Sequence, residues 1–97
     1  MLFRSITEFS FIGGGQNNKN CGGCSTIVGG WYNTTNGNFN FIGGGRGNTS
    51  SCYYSAIAGG QNNVACGTRT FIGGGVGNSV SGTYSLIVGG KIGRAHV

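Results

Sequence analysis

Cys21 and Cys24 frame the tetrapeptide CGGC, a spacing that serves as a redox dithiol or as half of a zinc site. Cys52 and Cys66 complete the cysteine set. Nucleophilic or acid–base catalysis needs a base within reach of the nucleophile. The one histidine is His96 and the one carboxylate side chain is Glu8, near opposite ends of the chain. No Ser-His-Asp, Cys-His or paired-carboxylate site can be assembled from these within one chain, so the sequence reads as non-enzymatic. The glycine runs fail as nucleotide motifs. A phosphate loop needs Gly-Lys-Ser/Thr opening a helix, and GGGRGNTS at 43–50 has neither the lysine nor a helical pattern after it. Calcium-binding rolls place Asp in Gly-Gly-x-Gly-x-Asp, and that Asp is missing here. No cofactor is expected.

These residues sit on a repeat. FIGGG stands at 11–15, 41–45 and 71–75, and TIVGG, AIAGG and LIVGG fall midway between, at 26–30, 56–60 and 86–90. The period is 15 residues over six copies, the last one cut short. With FIGGG opening the copy, position 2 is Ile12, Ile27, Ile42, Ile57, Ile72 and Ile87. Positions 4 and 5 are always Gly. Position 8 is Asn18, Asn33, Asn48, Asn63 and Asn78, and position 15 is small and polar from Ser10 to Ser85.

Fifteen residues suit two short strands and two turns, and such units stack as a parallel β-solenoid at about 4.8 Å per coil. The expected fold is therefore all-β, about six coils with two strands each, in a rod roughly 25–30 Å long. Residues 1–10 read as a partial N-terminal coil and 11–90 as the repeat domain. Strand alternation puts positions 15, 2 and 4 on one face. That face is expected inside, with the Ile column as core and the Ser column as a hydrogen-bonded ladder. The Gly pair fits a tight corner that tolerates no Cβ. The Asn column suits the second corner, since Asn accepts left-handed backbone and its amide can bond the next coil.

Positions 1 and 3 point the other way. Their pairs are Phe11/Gly13, Thr26/Val28, Phe41/Gly43, Ala56/Ala58, Phe71/Gly73 and Leu86/Val88. Phe at position 1 always meets Gly at position 3, and smaller residues meet Val or Ala. Such size compensation is what close packing demands. It marks Phe11, Val28, Phe41, Phe71, Leu86 and Val88 as an oligomer face, buried against further copies of the chain.

The repeat also places the cysteines. Cys21 and Cys66 share position 11 but lie three coils apart, about 14 Å by strand spacing, beyond the reach of one zinc ion. Cys52 and Cys66 fall on adjacent coils, close enough for a disulfide if their side chains converge. A local Cys21–Cys24 bridge and four free thiols stay open as alternatives. The sequons NTT (33–35) and NTS (48–50) have their Asn in the position-8 column and are expected to stay unmodified. Trp31, Tyr32, Tyr53, Tyr54 and Tyr84 are the candidates for surface contact with a ligand.

The pattern Ser-x-Ile-x-Gly-Gly-x-x-Asn-x-(small)-x-Gly, as in SAIAGGQNNVACG (55–67) and TFIGGGVGNSVSG (70–82), resembles the YadA-type head repeat. That repeat is known from trimeric autotransporter adhesins and phage-type tail-fibre proteins, and the resemblance covers roughly residues 9–90. It implies a left-handed parallel β-roll that trimerises through an apolar face. It also implies an extracellular, cell-surface or virion-type location. Adhesin heads bind matrix or host-surface molecules, and fibre repeats act as stalk or receptor-facing segments. The double Gly, where the family carries a single one, and the four cysteines are departures from its pattern.

Composition narrows the partners. The net charge of +5 suggests nucleic acid, but the six cations fall at scattered positions of the repeat and build no stripe. An RNA-binding Gly-rich segment would need no phase, and this one keeps it, so no nucleic-acid partner is expected. Ice binding would need a regular Thr-x-Thr ladder, and only Thr68/Thr70 makes that pair. No stretch approaches the ~20 apolar residues of a membrane span. The tail KIGRAHV, residues 91–97, leaves the repeat with Gly93 where Asn belongs. It is similar to read-through of a common sequencing-library adapter, and on that reading it is not native and the charge falls to +3 without Lys91 and Arg94.

Overall fold

The computed structural model describes residues 3–5, 10–21, 23–90 and 94–95. Glu8, His96 and most of the 91–97 tail lie outside the described residues. Within them the chain is an all-β solenoid built from short parallel strands in two sheets. One sheet stacks the strands at positions 1–2: Phe11–Ile12, Thr26–Ile27, Phe41–Ile42, Ala56–Ile57, Phe71–Ile72 and Leu86–Ile87. The other stacks those at positions 9–10, beginning at position 8 in the first two strands: Phe3–Ser5, Asn18–Asn20, Thr34–Thr35, Thr49–Ser50, Val64–Ala65, Ser79–Val80 and Arg94–Ala95. Each strand pairs in register with the residue 15 places on, so Ile12, Ile27, Ile42, Ile57, Ile72 and Ile87 form one unbroken row. The molecule measures 33 × 21 × 12 Å along its principal axes. Its thin direction leaves room for a single layer of inward side chains.

That interior is half polar. Ile27, Ile42, Ile57 and Ile72 are fully buried, Ile87 nearly so, and Ile12 at the first complete coil packs on them half-buried. Opposite the Ile row runs a second inward column, at position 10, that sequence reasoning missed: Asn20, Thr35, Ser50, Ala65 and Val80, all fully buried. Its residue types vary from coil to coil, so no periodic signal marked it. Position 15 is buried as expected and makes a hydrogen-bonded ladder. The Ser25 hydroxyl donates to the Gly37 carbonyl (2.9 Å) and accepts from Asn40 N–H (3.2 Å). Ser55 N–H donates to Asn40 Oδ1, and Thr70 Oγ1 donates to Ser55 Oγ (3.0 Å). Buried polar groups are costly unless paired in this way, and among the described residues the Ser50 and Ser85 hydroxyls are the buried side-chain groups left unpaired.

The corners differ from the sequence-based expectation in two respects. Position 4 does not face the core. A Cβ built on Gly14, Gly29, Gly44, Gly59, Gly74 or Gly89 meets nothing within 4 Å. The chain turns after position 3, so strand alternation no longer carries through. Of the two glycines in this corner, the one at position 5 excludes a side chain. Gly45 has φ +92°, and a Cβ there would strike the Gly60 carbonyl oxygen and stand 2.7 Å from Asn48 Nδ2. The second difference concerns Asn. The left-handed residues are at position 7 (Asn17, Tyr32, Gly47, Asn62, Gly77) and position 14 (Cys24, Phe39, Tyr54, Arg69, Tyr84), not position 8.

Candidate functional site

Asn18, Asn33, Asn48, Asn63 and Asn78 are almost wholly buried, and their amides form a ladder along the rod. Each Nδ2 spends both hydrogens on glycine carbonyls. Asn48 donates to Gly44 in its own coil (2.9 Å) and to Gly60 in the next (3.1 Å). The Oδ1 of Asn18, Asn33, Asn48 and Asn63 each accepts the backbone N–H of the following Asn, as Asn48 does from Asn63 (2.9 Å). The position-5 glycine carbonyls also accept a backbone bond, Arg46 N–H to Gly60 O for instance. A side chain at position 5 would therefore collide with the acceptor and donor that the Asn ladder uses. The Gly and Asn columns are one structural device. Asn33 and Asn48, which head the two sequons, have no exposed surface for a glycan.

The outward row at positions 1 and 3 is exposed. Phe11, Phe41 and Phe71 keep 40–54% of their surface, Val28 48%, Leu86 59% and Val88 77%. In register the row reads Phe11, Thr26, Phe41, Ala56, Phe71, Leu86. Each Phe ring lies over position 3 of its own coil. A Cβ on Gly13, Gly43 or Gly73 would come within 3.2–3.4 Å of that ring. This is the physical basis of the Phe–Gly pairing. The same Cβ on Gly43 would stand 2.5 Å from the Ala58 carbonyl oxygen, so the glycine is doubly required.

The candidate contact residues Trp31, Tyr32, Tyr53, Tyr54 and Tyr84 are all exposed, but the structure divides them between corners. Trp31 at position 6 carries the Arg46 guanidinium over its ring at 5.4 Å. Tyr54 and Tyr84 belong to a column at position 14 that includes two residues sequence reasoning missed, Phe39 and Arg69. Phe39 and Tyr54 stack with centroids 5.1 Å apart and planes 4° from parallel. Arg69 lies over Tyr54 at 5.1 Å and over Tyr84 at 5.7 Å. The signal was available, since the four residues recur every 15 positions; mixing aromatics with Arg concealed it. Lys19, Arg46 and Arg69 occupy three different columns, although Arg4 lies in register with Lys19, so the cations are less scattered than the sequence suggested.

All four cysteines are free thiols. Of the alternatives the sequence left open, the four free thiols are the one found: the possible Cys52–Cys66 bridge is not formed, and the Cys52 thiol donates to the Cys66 carbonyl oxygen. Burial pushes the Cys52 thiol above its ordinary value, and the neighbouring Cys66 thiol adds to the rise. Among the described residues no three His, Cys, Asp or Glu side chains come together as a metal site. No protein-family model, curated protein or solved structure matches the chain.

Proposed function

We propose that the chain is a structural and adhesive module, a rod of stacked coils that assembles with copies of itself and presents its remaining surface to a ligand outside the cell. The observation that carries this reading is the continuous outward row of Phe11, Val28, Phe41, Phe71, Leu86 and Val88. A contiguous apolar strip of this kind marks an interaction surface on a soluble protein. Large and small residues alternate along it every two coils, about 9.6 Å at one strand spacing per coil. A partner that fills such a strip needs the same repeat, and another copy of this chain has it. The resemblance to YadA-type head repeats makes a homotrimer the expected assembly, with adhesin head as the first reading and fibre stalk as the second.

The residues of this row, Phe11, Val28, Phe41, Phe71, Leu86 and Val88, are apolar. Function then lies in length, rigidity and display, which a solenoid stabilised coil by coil supplies. Thermal unfolding at two concentrations a hundredfold apart tests the reading. An obligate assembly melts at a higher temperature in the concentrated sample. A melting temperature independent of concentration would remove self-assembly from the account.

A further inference from the structure

We propose that the position-14 corner is a binding ladder for an acidic polysaccharide, with Arg69 as its anion-recognising group. The inference rests on the reading of the chain as a surface-presenting rod and names the class of ligand. Phe39, Tyr54, Arg69 and Tyr84 all hold left-handed backbone, at φ 61°, 57°, 56° and 60°. Bulky residues in that region are strained. The strain persists because each N–H is tied back to the preceding coil: Phe39 to Gly23 O, Tyr54 to Asn38 O, Arg69 to Tyr53 O and Tyr84 to Thr68 O, at 3.0–3.2 Å. The result is a fixed, outward row of side chains one coil apart.

Within the row the Arg69 guanidinium is clamped between two Tyr rings. The two ring contacts hold the guanidinium in the row without using its N–H donors. Among the described residues no side chain accepts a hydrogen bond from it, and no carboxylate lies in reach. A planar fork held in place matches a carboxylate or sulfate in bidentate geometry, and holding it beforehand reduces the entropy lost on binding. The hydroxyls of Tyr53, Tyr54, Thr68, Tyr84 and Thr83 follow along the same corner, suited to the hydroxyls of a sugar chain.

The geometry disfavours nucleic acid. Single-stranded binders stack bases on free aromatic faces. Here Tyr54 has Phe39 on one face and Arg69 on the other, so ring edges and hydroxyls are what a ligand meets. The described cations fall in three columns, and in the one that holds Arg4, Lys19 and Arg94 the coils between Lys19 and Arg94 carry Thr34, Thr49, Val64 and Ser79, so there is no track for successive phosphates.

The test is retention of the whole chain on immobilised heparin, polygalacturonate and neutral dextran, with Kd measured in solution for each. The wild type is expected to bind heparin or polygalacturonate or both, which distinguishes sulfate from carboxylate as the source of the anion, and to pass through dextran. R69Q is expected to weaken binding on the order of tenfold, the scale of one lost charge-assisted pair. R69K is expected to lose most of the same, because an ammonium keeps the charge without the fork. R46Q removes an equal charge elsewhere and is expected to stay within about twofold of the wild type. Equal losses in R46Q and R69Q, full retention by R69K, or tighter binding of poly(U) than of either acidic glycan would overturn the proposal. So would the absence of binding to both acidic glycans. Sedimentation of the same samples separates the two ideas: an assembled rod that binds no acidic glycan sinks this inference alone, whereas a monomer sinks the reading beneath it.

Discussion

Asn48 is the residue whose loss should be felt most sharply for its size. Its side chain donates to Gly44 O at 2.9 Å and Gly60 O at 3.1 Å and accepts Asn63 N–H at 2.9 Å, with no exposed surface. In Asn48→Ala the Gly60 carbonyl keeps its bond from Arg46 N–H. Asn63 N–H, which is buried, and Gly44 O, which is half-buried, lose the Asn48 partner. An orphaned buried group costs about 1–3 kcal/mol, so the two together should cost the variant about 2–6 kcal/mol, the half-buried Gly44 carbonyl contributing less than the Asn63 N–H. For a domain with total stability of about 5–15 kcal/mol that is a large share, and it corresponds to a fall in melting temperature of roughly 10–50 °C. Asn48→Asp separates hydrogen bonding from shape. It retains the acceptor for Asn63 N–H but aims a carboxylate oxygen at two carbonyls. Burial against those oxygens raises the folded-state pKa of the new acid above its unfolded value. The variant is therefore most stable below the unfolded carboxylate pKa and loses stability as pH rises through the folded one. Urea denaturation followed by far-ultraviolet circular dichroism, at one protein concentration and at pH 3.5 and 7, measures both effects. Asn36→Ala, at an exposed side chain, is the control. The ladder argument fails if Asn48→Ala matches that control within about 1 kcal/mol, or if Asn48→Asp is no more stable at the lower pH than at pH 7.

Three further outcomes follow from the same geometry. Gly45→Ala should destabilise by several kcal/mol, on the order of a strained left-handed residue plus a backbone collision. Gly59→Ala, at position 4 with open space, should be neutral or gain about 0.4–1 kcal/mol; paired thermal melts decide, and equal losses would refute the assignment of the corner to position 5. Ser50 Oγ is buried without a partner beside Ala65, so Ser50→Ala should gain about 1 kcal/mol in urea titration; a loss would mean that hydroxyl is satisfied. Peptide mapping after timed alkylation at pH 8 should find exposed Cys24 and Cys66 modified before Cys52, whose raised pKa and burial withhold the thiolate. Faster modification of Cys52 would refute that order.

Much of the architecture is legible in the sequence because a solenoid repeats its constraints. The Ile row and the buried Ser-Asn-Thr row stand out since each site sees the same neighbours in every coil. The outward row was readable from the Phe–Gly pairing, which the ring lying over position 3 now explains. What escaped did so for physical reasons. Position 10 accepts Asn, Thr, Ser, Ala or Val, because the packing there differs between coils. Position 14 fixes the backbone rather than the side chain, so Cys, Phe, Tyr and Arg share one conformation and no residue type betrays it. Asn at position 8 was assigned to the right column for a partly wrong reason: its amide bonds the next coil, as expected, while the left-handed residue is its neighbour at position 7. Gly at position 4 looks as invariant as Gly at position 5, and only the three-dimensional contacts tell them apart.

The central claim is that the apolar row is an interface between copies of this chain. Sedimentation equilibrium at micromolar concentration addresses it most directly, comparing the wild type with a Phe11→Ser, Phe41→Ser, Phe71→Ser variant. These rings are exposed in the single chain, so the triple variant should keep the wild-type circular dichroism spectrum. The account predicts a wild-type mass of three chains and a variant mass of one. A wild type that sediments as a monomer, or a triple variant that assembles as the wild type does, would contradict it.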